Sequence, residues 1–219
     1  MARALHPAGA VTVVLNYGLV PSVDLDEQVR QCRAAIAWVH RHAAQWDGDP
    51  ARVSVSGHSA GGHLAAMLLT TDWSVFGVPG DVVKAVCAIS GIYDLEPIRL
   101  CYLNEALAFT PDVVRRTSPA RLAPRAPAPL LLALGAAEGP EYHRQTTELA
   151  AAWRAHEVPI ELMDLEDHDH FSIVGELQSP FSALAQAIQR GWTGLREAAR
   201  LSAHASGRRT RAVKSPGPW

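Results

Sequence analysis

One short turn constrains the fold of this chain more than any other stretch. Residues 57–61 read Gly-His-Ser-Ala-Gly, an alternating apolar run precedes them, and a series of small residues follows. A strand that turns sharply into a helix needs glycines around the turn, because side chains there would collide with neighbouring backbone. The pattern predicts a nucleophile elbow with Ser59 at its tip, and with Gly57 and Gly61 preventing the collisions.

The elbow also has the chemistry that acyl transfer needs. A serine hydroxyl is a weak nucleophile until a base removes its proton, and the following helix offers N-terminal N–H groups to a developing oxyanion. The N–H of Ala60 is the predicted oxyanion donor. The alternative is a glycine-rich turn around a buried serine with no catalytic role. The strand pattern before Ser59 and the helix pattern after it favour the nucleophile.

The size and charge of the chain limit its class. Its 219 residues, 48% of them hydrophobic, can bury one sizeable core, and we expect a single domain over residues 1–202. The formal net charge is −2, and residues 203–219 carry four lysine or arginine residues and no acidic one. The body is therefore acidic and unsuited to binding nucleic acid. We expect residues 203–219 to be a disordered basic tail.

Cysteine usage and hydropathy predict a soluble cytoplasmic protein. The three cysteines are odd in number and share no ligand spacing, which is typical of reduced thiols. A faint signal-like start ends at Asn16 with no small-residue cleavage site after it. No apolar run approaches the roughly 20 residues that span a bilayer, so no membrane association is expected.

Strand-like and helix-like patterns alternate along the chain. Apolar runs predict five strands, at residues 10–15, in the run into the elbow, and at 82–90, 129–134 and 159–165. The first of these is a short apolar and β-branched run, as in a strand buried on both faces of a sheet. Asp24, with Glu27 three residues later, predicts a capped helix start. Further helices are expected after the elbow, after Pro140 and in the closing region.

This alternation predicts an α/β fold, with a mostly parallel sheet and helices on both faces. In such a fold, the chemistry lies at the carboxyl ends of the strands. Residues 95–128 contain many prolines and are too irregular for one element, so they are expected to shape a substrate pocket or lid.

The partners of Ser59 should follow the later strands, in the chain order serine, acid, histidine. After the fourth predicted strand come Glu138 and Glu141, and after the fifth come His168 and His170. Glu141 falls in a first helical turn, where the helix dipole favours a carboxylate for structural reasons, so Glu138 is the preferred acid. Its role would be to hold the tautomer of the histidine ring and to stabilise the imidazolium. Spacing alone does not separate the two histidines.

Other histidines have different interpretations. His168 and His170 alternate with aspartates, which would also allow a metal site, but no distant set of ligands accompanies them, so we predict no metal. His58 and His63, beside the elbow, are interpreted as packed or pocket-lining rings without a role as base.

Together these residues resemble the kynurenine formamidase (arylformamidase) branch of the α/β-hydrolase superfamily, over about residues 10–190. The matching pieces are 15–17 (Leu-Asn-Tyr), 57–67, 91–98 (Gly-Ile-Tyr-Asp-Leu-Glu-Pro-Ile), 102–106 (Tyr-Leu-Asn-Glu-Ala), 118–119, 143–145 and 170–172 (His-Phe-Ser). The elbow is general to the superfamily, whereas the pieces at 91–98 and 102–106 are more specific.

The resemblance implies hydrolysis of N-formyl-L-kynurenine to L-kynurenine and formate in tryptophan catabolism, without a cofactor. It favours His170 over His168, because the catalytic histidine of that family lies in the His-Phe-Ser match. It also matches the acid at Glu138, where relatives often carry aspartate. The expected reaction proceeds through an acyl-enzyme intermediate on Ser59.

One departure from the family pattern concerns the N-terminal side. The family takes a second oxyanion donor from a His-Gly-Gly loop after its third strand, and this sequence contains no such motif. If residues 10–15 correspond to the fourth strand of the family, the first three strands and the loop are missing. We therefore expect an N-terminally incomplete hydrolase domain with impaired activity.

Residues 90–106 are expected to contact the substrate, because they follow the strand next to the elbow. They supply Tyr93, Asp94, Tyr102 and Asn104, a mixture of flat apolar faces and polar groups suited to an aryl amide with an amino-acid tail. His58 is predicted to join them. The alternative for both tyrosines is that they only pack against the irregular stretch at residues 95–128, which we call the insertion.

Two other functions remain open at this point. The same three catalytic residues would serve a carboxylesterase acting on small esters, and a truncated chain could be a non-catalytic remnant. The expected partner is a small-molecule substrate, and a homodimer is one option for the oligomeric state.

Overall fold

The computed structural model describes residues 2–126 and 128–191. In this part of the chain, four strands pair in parallel as one sheet in the order β1-β2-β3-β4. They span Val53–His58 (β1), Val83–Ile89 (β2), Leu130–Gly135 (β3) and Ile160–Leu165 (β4). These bounds confirm four of the five predicted strands and the parallel sheet.

Helices connect the strands. The α-helices are Ala2–Leu5 (α1), Leu25–His42 (α2), Ala60–Leu69 (α3), Glu96–Arg99 (α4), Asn104–Leu107 (α5), Pro111–Thr117 (α6) and Pro140–Arg154 (α7), and residues 183–191 are helical (α8). Short 3-10 segments span His6–Ala8, Ala43–Trp46, Pro50–Arg52, Trp73–Phe76, Pro119–Arg121 and Ser172–Gln178.

The start of α2 is the one the sequence predicts. The carboxylate of Asp24 accepts a hydrogen bond of 2.8 Å from the N–H of Glu27, which satisfies one of the free donors at the helix start. The insertion at residues 95–128 is also irregular, as expected, with only the short helices α4, α5 and α6.

Alternate residues of the central strands pack into two apolar clusters, one on each face of the sheet. Val86 and Ala88 of β2 belong to the cluster that contains α2, α3 and α7, and Cys87 and Ile89 belong to the cluster that contains α1 and α8. Because strand side chains alternate between faces, this division places helices on both sides of the sheet, as predicted.

The predicted strand at residues 10–15 is wrong. This segment has no regular secondary structure, and Val11, Val13 and Val14 are 48%, 41% and 84% exposed. A cavity of about 440 Å³ lies between it and β1, lined by residues of both. An apolar run becomes a strand only where a neighbouring strand supplies partners for its backbone, and here the cavity separates it from the sheet.

Two further expectations concern membrane-spanning helices and the C-terminal tail. No helix within residues 2–126 and 128–191 combines the length and apolar character needed to cross a bilayer. The predicted basic tail at 203–219 lies outside the described residues.

Candidate active site

Ser59 lies where β1 ends and α3 begins. Its backbone has φ 56° and ψ −119°, a conformation that non-glycine residues adopt rarely. Its N–H donates a 2.9 Å hydrogen bond to the carbonyl of Ile89 at the end of β2. The strained turn, fixed against the neighbouring strand, is the local geometry of a nucleophile elbow.

One predicted glycine role is correct and the other is wrong. A Cβ at Gly57 would lie 2.1 Å from the carbonyl oxygen of Gly61, so only glycine fits there. A Cβ at Gly61 would meet nothing within 4 Å. The second close approach is at Gly62, where a Cβ would lie 2.9 Å from the Cα of Gly91. The start of α3 packs against the loop after β2 through Gly62, a contact that the spacing of the motif does not indicate.

The three side chains predicted to act together form a hydrogen-bonded row. The Oγ of Ser59 lies 3.0 Å from Nε2 of His170, and Nδ1 of His170 lies 2.8 Å from Oε2 of Glu138. A carboxylate accepts only, so Nδ1 carries the proton and Nε2 is free to accept the serine proton. This tautomer is the one that a general base for Ser59 needs.

Glu138 is held by further donors. Its side chain is fully buried, and Oε1 accepts from the hydroxyl of Ser90 at 2.5 Å and from the N–H of Gly135 at 2.9 Å. Ser90 directly follows β2, has a φ of 48° and is completely buried. A buried carboxylate needs such donors to compensate for lost hydration. Sequence reasoning missed Ser90, and its position directly after a buried strand beside the elbow was the available signal.

The loop that carries His170 packs closely on the end of β3. A Cβ at Gly135 would lie 2.4 Å from the carbonyl oxygen of His168, which accepts a 3.0 Å hydrogen bond from the N–H of Ala137. The carboxylate of Asp169 accepts from the N–H groups of Phe171 and Ser172 at 2.9 and 2.7 Å. These contacts position the loop between the acid and the nucleophile.

The alternative acid and base have other partners. Glu141 pairs with Arg144 at 2.5 Å, and the hydrogen bond from that guanidinium lowers the pKa of the Glu141 carboxyl to about 2. Nε2 of His168 lies 3.5 Å from Glu176. Neither takes part in the row around Ser59. Within the described residues, no group of three or more histidine, cysteine or acidic side chains is arranged to hold a metal ion.

The two histidines beside the elbow both contact backbone carbonyls. Nε2 of His58 lies 2.8 Å from the carbonyl oxygen of His170, and Nε2 of His63 lies 2.6 Å from that of Thr117. Burial lowers the pKa of His58, and it lowers the pKa of His63 to about 4. Both rings are therefore neutral donors near pH 7. His58 was predicted to bind substrate, and its described polar contact is instead with the backbone of His170.

Two residues predicted to bind substrate have structural contacts instead. Tyr93 is 1% exposed, packed against Gly91, so its side chain is not accessible to a ligand in this structure. The side-chain amide of Asn104 binds the backbone of Phe109, accepting from its N–H at 2.6 Å and donating to its carbonyl at 3.1 Å. The amide of Asn104 thus closes a turn within the insertion, and Tyr93 packs in the core.

The remaining predicted contacts differ in exposure. Asp94 is ion-paired with Arg121 at 2.9 Å, while Tyr102 is 79% exposed.

Gln145 of α7 was not singled out as a positioning residue; its Oε1 accepts from the N–H groups of Tyr93 and Asp94 at 2.7 Å each. It fixes the loop after β2 because both donors are satisfied by one buried oxygen. Ala60, the predicted oxyanion donor, is exposed as the first residue of α3.

Aromatic rings surround His170. The ring centroids of His58 and Tyr142 lie 4.7 and 4.8 Å from that of His170, and the ring of Phe171 meets it edge-on at 5.4 Å. Phe171 is 82% exposed. These rings place apolar surface next to the proposed base.

Comparisons with known proteins identify the family of this chain and several relatives. The chain matches the BD-FAE family over residues 1–152. It is 35% identical over 182 residues to a kynurenine formamidase of Danio rerio, covering 81% of this chain and 60% of that protein. It is 37% identical over 81 residues to the carboxylesterase NlhH of Mycobacterium tuberculosis, covering 36% of this chain and 25% of that protein.

A solved structure shows the same fold. The esterase of Pyrobaculum calidifontis superposes with a TM-score of 0.70 at 18% identity, covering 89% of this chain and 69% of that one. With the parallel sheet and its flanking helices, this similarity shows the α/β-hydrolase fold. The chain spans about 60% of the length of the formamidase it matches.

Proposed function

Because this chain belongs to the BD-FAE family, we propose that it is a serine hydrolase that cleaves N-formyl-L-kynurenine to L-kynurenine and formate. The observation that carries the proposal is the row of hydrogen bonds from Ser59 through His170 to Glu138. The formamide substrate is supported by the 35% identity to the Danio rerio kynurenine formamidase. We further propose that residues 1–202 form one hydrolase domain.

The first half of the reaction transfers the formyl group. Nε2 of His170 takes the proton of Ser59 while Oγ attacks the formyl carbon, giving a tetrahedral oxyanion. The N–H of Ala60, at the N-terminus of α3, is proposed to donate to that oxygen. His170 then gives its proton to the arylamine nitrogen as the C–N bond breaks, which releases kynurenine and leaves formyl-Ser59.

The second half returns the enzyme to its starting state. A water molecule attacks the formyl carbon while His170 takes its proton, and the serine leaves with that proton as formate is released. Throughout both halves, Glu138 remains ionised and stabilises the imidazolium. Its compensating donors, Ser90 and Gly135, are in position before the reaction starts.

A carboxylesterase of the same fold is the second candidate. The observation that favours it is the 37% identity to the carboxylesterase NlhH. The same three side chains would transfer an acyl group from an ester, and an alcohol, protonated by His170, would leave in place of the arylamine.

The catalytic assignment is tested with a fluorophosphonate probe. The wild-type chain is expected to be labelled at Ser59, and Ser59→Ala is expected to remain unlabelled. His170→Ala should slow labelling strongly, because the hydroxyl then has no base. Labelling that persists in Ser59→Ala would overturn the nucleophile, and a folded wild type that does not react would favour a non-catalytic remnant.

The substrate is tested separately by rates. The value of kcat/KM for N-formylkynurenine is expected to exceed that for p-nitrophenyl acetate after correction for the intrinsic reactivity of the ester. The opposite preference would favour the carboxylesterase.

A further inference from the structure

His58, the residue directly before the nucleophile, contacts the segment that carries the proposed base. Its Nε2 lies 2.8 Å from the backbone oxygen of His170, across 112 positions of sequence. A carbonyl oxygen can only accept, so Nε2 of His58 must carry a hydrogen and donate it. The two rings are also in contact, with centroids 4.7 Å apart.

We propose that His58 is a positioning residue, which fixes the main chain at residue 170 so that the imidazole of His170 meets Ser59. Adjacent residues of one rigid turn then hold His170 at two points. His58 binds its backbone oxygen, and Ser59 binds its Nε2 at 3.0 Å. Because the two contacts come from neighbouring residues, the hydrogen bond of His58 sets the separation between nucleophile and base.

The other described contacts of this loop do not perform that role. Ala137 donates to the carbonyl of His168, which ties the loop to the end of β3. The carboxylate of Asp169 accepts from two N–H groups of the same loop, which shapes the loop internally. Among the described hydrogen bonds, the one from His58 joins the backbone of residue 170 to the elbow.

A neutral donor suits this position. Burial lowers the pKa of His58, and a positive charge on His170 would lower it further. The backbone hydrogen bond to His170, second in size to burial, and the carboxylate of Glu138, the smallest influence, act in the opposite direction. His58 therefore donates its hydrogen bond without adding a second positive charge next to the imidazolium that forms during the reaction.

A matched pair of variants tests the role of the hydrogen bond. His58→Phe keeps a ring of similar size and removes the donor, whereas Gln places an amide N–H near the position of Nε2. Since a misplacement of about 1 Å can lower a rate about 100-fold, we expect His58→Phe to react with the fluorophosphonate roughly 10- to 100-fold more slowly. His58→Gln should recover most of that loss. In steady-state assays the change should appear in kcat, with KM little altered.

The controls separate positioning from general stability and from binding. Thermal melting of both variants shows whether each is folded at the assay temperature. A folded His58→Phe that reacts at the wild-type rate would overturn the proposal. A large rise in KM with unchanged kcat would also overturn it, and would return His58 to the substrate-binding role predicted from the sequence.

A second measurement does not depend on enzymatic activity, although the inference itself rests on the proposed function. Nitrogen-15 NMR of the wild-type imidazoles should show His58 as the neutral tautomer with hydrogen on Nε2 near pH 7. In His58→Phe, the ring signals of His170 should show that this ring occupies more than one environment. The opposite tautomer, or unchanged His170 signals, would overturn the positioning role. Failure of the wild type to react with the probe would contradict the proposed function alone.

Discussion

Two hydrogen-bond donors hold the carboxylate of Glu138 in the site, and both bind the same oxygen. Oε1 accepts from Ser90 and Gly135, so Oε2 is left for His170. The backbone N–H of Gly135 can only donate, so any side chain that replaces Glu138 must keep an acceptor atom at the position of Oε1. The other terminal atom of that side chain then faces Nδ1 of His170 and determines the tautomer of the ring.

The first prediction follows for Glu138→Gln. The amide oxygen would take the place of Oε1, and the amide NH₂ would face Nδ1 of His170. That nitrogen would have to become the acceptor, which moves the ring proton to Nε2 and prevents it from accepting the proton of Ser59. We expect kcat to fall by about 10³- to 10⁴-fold with the melting temperature little changed. A loss of less than tenfold in a folded variant would contradict this account of the acid.

The second prediction concerns the two glycines of the elbow. Gly57→Ala would put a Cβ 2.1 Å from the carbonyl oxygen of Gly61, so the turn must shift, with loss of both stability and reaction with the probe. Gly61→Ala is the matched control, because a Cβ there meets nothing within 4 Å. Alanine also favours a helix over glycine by about 1 kcal/mol. Thermal melting should therefore separate the two variants, and equal destabilisation would be inconsistent with this geometry.

At the scale of elements, α3 connects the elbow to the insertion. Buried His63 of α3 donates to the carbonyl of Thr117 at the end of α6, over 2.6 Å. The N–H on Nε2 is needed for this bond, and a neutral ring is needed because the site is buried. The packing of these two helices is therefore sensitive to protonation.

The third prediction is a pH dependence of stability. The pKa of His63 is about 4 in the folded chain and about 6.5 when unfolded, so the unfolded state binds the proton more tightly. The contribution of neutral His63 to the free energy of unfolding should be fully present above pH 6.5. It should decrease as the pH falls towards 4, by roughly 3 kcal/mol at most. His58, whose pKa burial also lowers, contributes in the same direction.

The test of this prediction uses His63→Gln, which keeps a side-chain N–H for the carbonyl of Thr117 and does not titrate. Its free energy of unfolding, measured with denaturant between pH 4 and pH 7, should vary less with pH than that of the wild type. An identical slope in the variant would show that other groups cause the acid sensitivity.

At the scale of the whole molecule, stability comes chiefly from the sheet and the two clusters that cover it. Leu132 of β3 is 1% exposed, and its neighbour in register on β4, Leu162, is 43% exposed. Most of the described ion pairs are at the surface, such as Arg116 with Asp26 at 2.6 Å, and pairs of that kind contribute about 0–1 kcal/mol.

The fourth prediction compares these two leucines. Leu132→Ala should reduce the free energy of unfolding by about 2–5 kcal/mol, because it leaves a cavity in a packed core. Leu162→Ala removes the same atoms from a half-exposed site and should reduce it by less. Chemical denaturation of both variants measures the difference, and a larger effect at Leu162 would contradict the assignment of β4 as the edge of the described sheet.

The features that the sequence determined by itself are local ones. The cap at Asp24, the elbow around Ser59 and the strands β1 to β4 each depend on residues a few positions apart, whose conformations follow from sterics and short-range hydrogen bonds. The order of Ser59, Glu138 and His170 was also predictable, because parallel strands bring their carboxyl ends to one edge of the sheet. The resemblance to a known family then separated His170 from His168.

Tertiary structure alone decided the features that depend on which distant segments meet. Residues 10–15 have the composition of a strand, yet a cavity separates them from β1. Gly62, rather than Gly61, makes the second close approach, because the loop after β2 crosses α3 there. Ser90 and His58 have their partners 48 and 112 positions away. Such contacts are fixed by the packing of the whole chain, since no local spacing records which backbone oxygen or carboxylate will lie within reach.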